Sequence, residues 1–563
     1  MALHILLVLL LSFSTETSWG LSTPLGRPLH QAWWPLTTIH SLSYSKPNEL
    51  QVLGMSLVAF RKSSHSRDDN NWVVMDDRCS HRFAPLSEGR IVERRSTHDP
   101  LNHTMCNRIQ CAYHGWEFNT TGVCRRVPQD FRSVRGTNTR PVVTYPTQVR
   151  AGILWAWTDP ESFDTIGSQT TIPISSALQD FVDYGQEACY MRDLPYGMEL
   201  LGENLLDVSH LPFSHHGTGA LRRELGGALP MKMMSMEEKK EAAKSECSVR
   251  LPRFQARILD AGQHDPIMIG FQKYSKRIPD DSWQCTAAFY EPNHIRYRRL
   301  RGGRAPAHQE LFMCPLSAGR SRVFLYNARA SIAPATDTET TLVQRLRLSS
   351  QLFQPKQWKS TLRSAVISYL FDPRKVSSHM VYHDIFDGDG VFLHKQGNRM
   401  ANNGLSYWNY STPGSSDVIL GAYRRYLDQA AQITKDAGYS KFARAVTGNE
   451  LSYRQADHNA RSRLLDRYNS HTKYCPTCQR ALHHWRKGAT IAESVSYGLN
   501  GACGTTALAS ILCAALAKAG SSFVKKWAYI SAATAALVGI GSYLARKIQQ
   551  KCLAMAQRFL FVD

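Results

Sequence analysis

Two short pieces of the chain, Cys79-Ser80-His81 and Cys111-Ala112-Tyr113-His114, each set a cysteine just before a histidine. Each also runs on into a turn-prone stretch with glycine, Ser87-Glu88-Gly89 and His114-Gly115-Trp116. Two thiolates and two imidazoles suit a [2Fe–2S] cluster whose cysteines hold one iron and whose histidines hold the other. Imidazoles in place of two thiolates remove negative charge and raise the reduction potential above that of an all-cysteine cluster. Such a centre is a one-electron relay. The same residue types also suit tetrahedral zinc, although zinc motifs usually pair cysteines and rarely follow the order Cys-x-His then Cys-x2-His. Cys106, just before the second loop, reads as a bystander thiol.

A second constellation runs from Glu203 through Asp207, His210 and His215 to His216. On an ideal helix two histidines five apart point about 140° away from each other. Pro212 between them interrupts the helix and would bring both rings to one metal. Two histidines plus a carboxylate, with coordination positions left open, form the facial triad of non-haem Fe(II) oxygenases. His-x4-His alone is a weak signal, but it becomes a strong one downstream of the cluster motif.

The pattern Glu203-x3-Asp207-x2-His210-x4-His215 resembles the mononuclear-iron motif of Rieske oxygenases. The wider string Pro195-Tyr196-Gly197 … His210-Leu211-Pro212-Phe213-Ser214-His215-His216-Gly217 is similar to their chlorophyll-processing branch, typified by pheophorbide a oxygenase. Chlorophyllide a oxygenase and a Rieske protein of the inner-envelope translocon are relatives in that branch. The resemblance runs from about Trp34 to the C-terminus. One departure is the interval from His81 to Cys111, which is long for the motif; its excess, Glu93–His103, is polar and reads as a surface insertion. The resemblance implies that Cys79, His81, Cys111 and His114 hold one [2Fe–2S] cluster and that His210, His215 and a downstream aspartate hold one mononuclear Fe(II). The segment Asp387-Gly388-Asp389 … Gln396 matches the third-ligand region. Spacing to Gln396 favours Asp389, with Asp387 as the alternative; taken alone, the segment also reads as an acidic turn between strands. Asp207 is implied to hydrogen-bond His210 and a cluster histidine, His114, of a neighbouring subunit in a ring-shaped homotrimer, fixing the ligand imidazole and bridging the centres. Glu203 stands where relatives carry asparagine or another acid and joins Asp207 as a catalytic candidate.

The elements that must position these residues define an α+β chain. An N-terminal all-β Rieske sandwich over 34–164 is expected from runs such as Val52–Phe60, Trp72–Met75, Ile109–Tyr113 and Ile153–Trp157. A catalytic domain over 165–455, an antiparallel sheet with helices of the helix-grip type, would follow, with Gly197–Leu211 as the iron-bearing helix. Gln357–Phe371 and Ala422–Lys435 have helical spacing, for which core packing is explanation enough. Charged Met234–Ser245 reads as a solvated loop or short surface helix. Residues 456–498 form a linker with Cys475-Pro476-Thr477-Cys478. That pair is a redox dithiol, half of a metal site needing outside ligands such as His471 or His483, or merely structural; the resemblance marks it as a thioredoxin target. Residues 499–546 contain two Ala- and Gly-rich stretches of membrane-spanning length, Leu499–Ala519 and Trp527–Ala545, read as a two-helix anchor or, failing that, a buried soluble hairpin.

The chain has 563 residues and a formal charge of +21, from 67 basic and 46 acidic side chains. Its basic residues are dispersed and no nucleic-acid module is present, so nucleic acid is excluded in favour of anionic lipid or an acidic electron donor such as reduced ferredoxin. Thirteen cysteines, mostly single, fit a reducing compartment. Residues 1–20 read as a signal peptide and 21–33 as a transit-like segment, a bipartite address to a plastid membrane. Plain secretion is the rival, nominally favoured by sequons at Asn102, Asn119 and Asn409. The leading reading is a ferredoxin-dependent monooxygenase of a chlorophyll-derived tetrapyrrole, opening the pheophorbide a macrocycle with O2. Chlorophyllide a oxidation or side-group hydroxylation stands beside it, as do a sterol-type oxygenase and a redox sensor of the plastid envelope with little turnover.

Overall fold

The computed structural model describes residues 26–560 apart from 67, 69, 96–104, 130–138, 176–177, 180–188, 219–220, 228, 246–250, 260–282, 302–306, 330–372, 413, 449–463 and 518–521. The expected signal peptide, residues 21–25, Asn102 and the helix expected at Gln357–Phe371 lie outside the described residues. Residues 26–33 of the expected transit-like segment are part of the fold. Leu29 is buried and its N–H donates to Thr434 Oγ1 at 2.8 Å, and His30 stacks on Tyr439 at 3.8 Å. These residues are thus packed against the helices of the C-terminal part.

Ile153–Trp157 is apolar throughout and buried at every position, and its antiparallel partner Trp33–Thr38 is likewise buried along its whole length. With Thr147–Arg150 they make a three-stranded sheet. Two four-stranded antiparallel sheets complete the N-terminal part: Asn48–Val52, Met55–Arg61, Trp72–Asp76 and Thr144–Tyr145 in one, Arg90–Arg95, Met105–Gln110, Glu117–Phe118 and Cys124–Arg126 in the other. The expected single strand Val52–Phe60 is two strands, because Leu53 and Gly54 turn the chain with φ of 51° and 73°. The strand expected at Ile109–Tyr113 stops at Gln110, where the cysteine loop begins. Within the expected insertion, Glu93–Arg95 are strand residues paired to Met105–Asn107, so this hairpin is longer than the loop reading allowed.

Two of the three hydrophobic cores among the described residues divide the labour here. A small one joins Val58, Phe60, Met75, Leu86, Ile109 and Phe118 to Cys79 and Cys111. The large one runs from Trp33 and Trp155 into the C-terminal part, where Trp155 meets Phe312 edge-on at 5.4 Å. The base of the first domain is thereby fused to the second, while its tip keeps its own packing.

The second domain is a seven-stranded antiparallel sheet, ordered Tyr190–Leu194, Arg320–Arg329, Ala307–Ser317, His294–Arg301, Trp283–Tyr290, Phe254–Ile258 and Met231–Met233. Three helices matter to the site: Met198–Leu206, Val418–Asp436 and Pro373–Asn403. The first two meet at Gly202, where a Cβ would lie 2.1 Å from the buried Tyr423 hydroxyl. Gly202→Ala is expected to destabilise the fold by about 1–3 kcal/mol through overpacking, measured as a lower midpoint of thermal unfolding of the solubilised protein. Met236–Ser245 is a surface helix beside the sheet edge, where Lys239 Nζ donates to Arg253 O at 3.3 Å.

Helix Pro476–Ala517 opens directly after Cys475, so most of the expected linker is helical. Proline at the first helical position has no N–H to leave unpaired. Helix Ser522–Gln557 packs along it through small side chains, with Ser496 Oγ 3.1 Å from Ser542 Oγ and Cys503 Sγ donating to Ala535 O at 3.3 Å. Both helices are long and apolar enough to cross a membrane, and only 0% and 11% of their most apolar windows are buried by the protein. A core hairpin would be mostly buried within the chain, and these windows are not.

Candidate metal centres

The two cysteine–histidine loops are built alike. Cys79 N–H donates to Ala84 O at 2.9 Å and Phe83 N–H to Cys79 O at 2.8 Å, while Cys111 N–H donates to Trp116 O at 2.9 Å and Gly115 N–H to Cys111 O at 3.0 Å. The fourth residue after each cysteine takes a left-handed backbone: φ is 59° at Phe83 and 73° at Gly115. Glycine adopts that conformation freely, whereas phenylalanine does so at a cost in strain. Cys79 and Cys111 are buried; His81 and His114 reach towards the surface with ring centroids 4.6 Å apart. His81 stacks on Trp116, and its buried Nδ1 has no hydrogen-bond partner. That orphaned nitrogen and two buried thiols fit an absent cluster. Among the described residues, two other groups draw their donor atoms to within 4.8 Å of one another around one ion-sized point, and this set is not one of them. Phe83 and Tyr113 flank the tip with 69% and 63% of their surface exposed.

The first of those groups is His210, His215 and Asp389. Helix Met198–Leu206 ends five residues before the expected limit at Leu211, and Asp207 caps it with its N–H on Glu203 O at 2.9 Å. A separate turn, Leu211–Ser214, follows with Pro212 in its first positions. The break therefore precedes the proline and places His210 and His215 at opposite ends of one short turn. Asp207 Oδ1 accepts from Ser209 N–H at 2.8 Å and Ser209 Oγ at 2.5 Å, and its Oδ2 lies 3.4 Å from His210 Nδ1. Burial raises the Asp207 pKa, but the His210 and Ser209 hydrogen bonds outweigh it and hold the carboxyl below its ordinary value. His210 Nε2 and His215 Nε2 then face the same oxygen, Asp389 Oδ1, at 3.7 and 3.2 Å. His215 is buried, and neither of its ring nitrogens has a hydrogen-bond partner. Buried polar atoms are rarely left so; a cation between the three side chains would satisfy Nε2, the nitrogen that faces Asp389.

Asp387 and Asp389 lie in helix Pro373–Asn403, not in a turn between strands. Two residues apart on a helix, they point to nearly opposite sides. Asp387 is gripped by Arg192 and by Arg467, whose Nε donates at 2.7 Å. Gly388 lets the helix approach His215, whose Nδ1 sits 3.3 Å from where a Cβ would be.

Glu203 is buried beside the same groups. Burial, with Glu199 adding to it, lifts its pKa from an ordinary 4.5 to about 7 against Arg424 and Tyr410. Arg424 bonds Glu199 at 2.8 Å and lies 3.2 Å from Glu203. The folded state thus binds this proton more tightly than the unfolded chain, so the contribution is fully present below pH 4.5 and is lost as pH rises through about 7. Glu203→Gln is expected to remove a decline of about 3 kcal/mol over that window, read from denaturation midpoints against pH. A cavity of about 530 Å³ is lined by Glu203, Asp207, His210, Asp389, Phe392 and Tyr410. A smaller one of about 50 Å³ reaches His210 and Asp389 from among Leu311, Leu325, Tyr382 and Phe386.

The second group joins Cys475 and Cys478 to His471 and His379. His471 was visible as a neighbour in the sequence, while His483 is exposed and takes no part in this group. His379 was not visible, nor were Arg192, Arg467 and Arg424; no local spacing marks them, because their partners come from other elements.

Residues 32–146 match the Rieske [2Fe-2S] domain family. The chain is 27% identical to flavonoid 8-hydroxylase 2, chloroplastic, of Ocimum basilicum, over 80% of this chain and 73% of that one. It is 26% identical to pheophorbide a oxygenase, chloroplastic, of Oryza sativa subsp. japonica, over 83% and 77%. It is 25% identical to protochlorophyllide-dependent translocon component 52, chloroplastic, of Arabidopsis thaliana, over 80% and 72%.

Proposed function

We propose that the chain is a Rieske-type oxygenase that acts on a chlorophyll-derived tetrapyrrole at a plastid membrane, with pheophorbide a first among the substrates; its Rieske domain and its chloroplastic relatives support the reading. The observation that carries the oxygenase chemistry is the convergence of His210, His215 and Asp389 around one point in the same chain as the cluster loops. When bound, Fe(II) on these three residues would supply dioxygen activation, and the cluster on Cys79, His81, Cys111 and His114 would supply electrons singly. Asp207 keeps the His210 Nδ1 proton on its own side, leaving Nε2 towards Asp389. Asp389 is buried and Asp387 neutralises Arg192 and Arg467, so the two acids do not compete for the site. The exposed Phe83 and Tyr113 would dock the cluster tip on the Asp207 side of a neighbouring copy, as in a homotrimer. Reduced ferredoxin, an acidic donor, suits the net charge of +21 and should bind more weakly as salt rises. The apolar hairpin would anchor the site beside the membrane where chlorophyll derivatives partition.

The test is turnover in one vessel with purified full-length protein, reduced ferredoxin and isotopically heavy O2, against pheophorbide a, chlorophyllide a, protochlorophyllide and a flavone. Heavy oxygen in a ring-opened product of pheophorbide a is the expected result. Labelled flavone without any labelled tetrapyrrole would overturn the substrate class while keeping the oxygenase. No labelled product with both centres loaded would overturn the catalytic reading.

A further inference from the structure

We propose that His379, His471, Cys475 and Cys478 form a structural zinc site that fastens the C-terminal hairpin to helix Pro373–Asn403. All four side chains are buried, and their donor atoms lie within 4.8 Å of one another. Cys478 Sγ is 3.2 Å from His379 Nδ1 and 3.3 Å from His471 Nε2, while Cys475 Sγ is 3.5 Å from His379 Nδ1. Zinc–sulfur and zinc–nitrogen bonds of about 2.3 and 2.0 Å set tetrahedral S···N edges at about 3.5 Å, so the four atoms already outline the polyhedron. Two thiolates and two imidazoles are a common structural zinc set, and they complete it without water.

The surroundings are those of a closed site. His471 Nδ1 lies 2.6 Å from Met191 O, which fixes the proton there and leaves Nε2 free for a metal. Tyr190 stacks on the same ring at 4.4 Å. Met380, Ala481, Leu482, Ala556 and Phe559 wrap the cysteines in an apolar shell. Only 9% of Cys475 and none of Cys478 is exposed, which closes the pair to a protein disulfide reductase in this conformation. Their thiol pKa values are pushed in opposite directions, Cys475 down by the Cys478 hydrogen bond and the two imidazoles, Cys478 up by burial and Cys475. A divalent cation would let both ionise together.

The ligands come from three places: helix Pro373–Asn403, which also carries Asp389, the turn at His471, and the start of helix Pro476–Ala517. A metal here would tie the anchor to the helix that supplies the third iron ligand. Full-length protein, expressed with iron and zinc and kept in detergent, is expected to carry about one zinc per chain beyond its iron. Cobalt substitution should give the intense visible bands of tetrahedral thiolate-bound Co(II), a readout that needs no variant. Cys475→Ser with Cys478→Ser should lose the zinc while the cluster absorption persists. Iron-loaded wild-type protein without zinc, or with Cys475 and Cys478 recovered as a disulfide under non-reducing conditions, would overturn the proposal in favour of a redox pair. So would zinc retained undiminished by the double serine variant. None of these outcomes depends on which substrate is oxygenated.

Discussion

Asp389→Ala is expected to abolish turnover while the protein folds and the cluster keeps its optical spectrum. The Asp389 carboxylate is faced by both His210 Nε2 and His215 Nε2. Without it two neutral imidazoles remain, too few donors of negative charge to keep Fe(II) in a site that must leave positions open. Changes to residues merely behind metal ligands cost roughly 10–100-fold in affinity or activity, and removal of the ligand itself should exceed that. The measurement pairs product formation with iron content: loss of mononuclear iron with an unchanged cluster signal is the expected outcome. Full iron occupancy and turnover in the variant would remove Asp389 from the site. His210→Ala should behave in the same way, and a redox sensor with little turnover would be indifferent to both changes.

Asp387→Ala, two residues away, should do the opposite: it should unfold the protein rather than merely silence it. Asp387 is the shared buried partner of Arg192 and Arg467, both buried themselves. Removing one partner of a buried pair typically costs about 3–5 kcal/mol, because the remaining charge stays out of water uncompensated. Here two guanidinium groups lose that partner, although Arg467 keeps Asp384 at 2.8 Å. Against a total stability of about 5–15 kcal/mol the loss is large. Thermal unfolding of the solubilised variant should show a clearly lowered midpoint or no folded protein at all. A midpoint equal to wild type, with iron missing instead, would exchange the roles of the two aspartates.

The opposition between these neighbours shows where sequence stops being informative. Both acids fit a downstream ligand by type, and spacing to Gln396 preferred one by resemblance alone. Helical geometry decides, since residues two apart face different sides and only one side meets His215. Gly388 and Gly390 are poor helix formers, since glycine costs about 1 kcal/mol in a helix interior. Packing overrode that preference: the buried face of the helix repeats through Tyr382, Phe386 and Leu393, and Gly388 makes room for His215.

What the sequence by itself determined is local. The cluster loops hold each cysteine beside its histidine within four residues, so chain connectivity does the positioning and the rare residue set is readable. His210 and His215 are close enough for the same reason, and the apolar C-terminal hairpin declares itself through composition. The tertiary structure decided whatever depends on two distant elements packing together. It set Asp389 beside His210 and His215, placed Asp387 between Arg192 and Arg467, and brought His379 to within 3.5 Å of Cys475, 96 residues along the chain. Such partners are selected by burial, which requires each polar group to find a counterpart wherever the core places one; that requirement leaves no periodic trace in either segment.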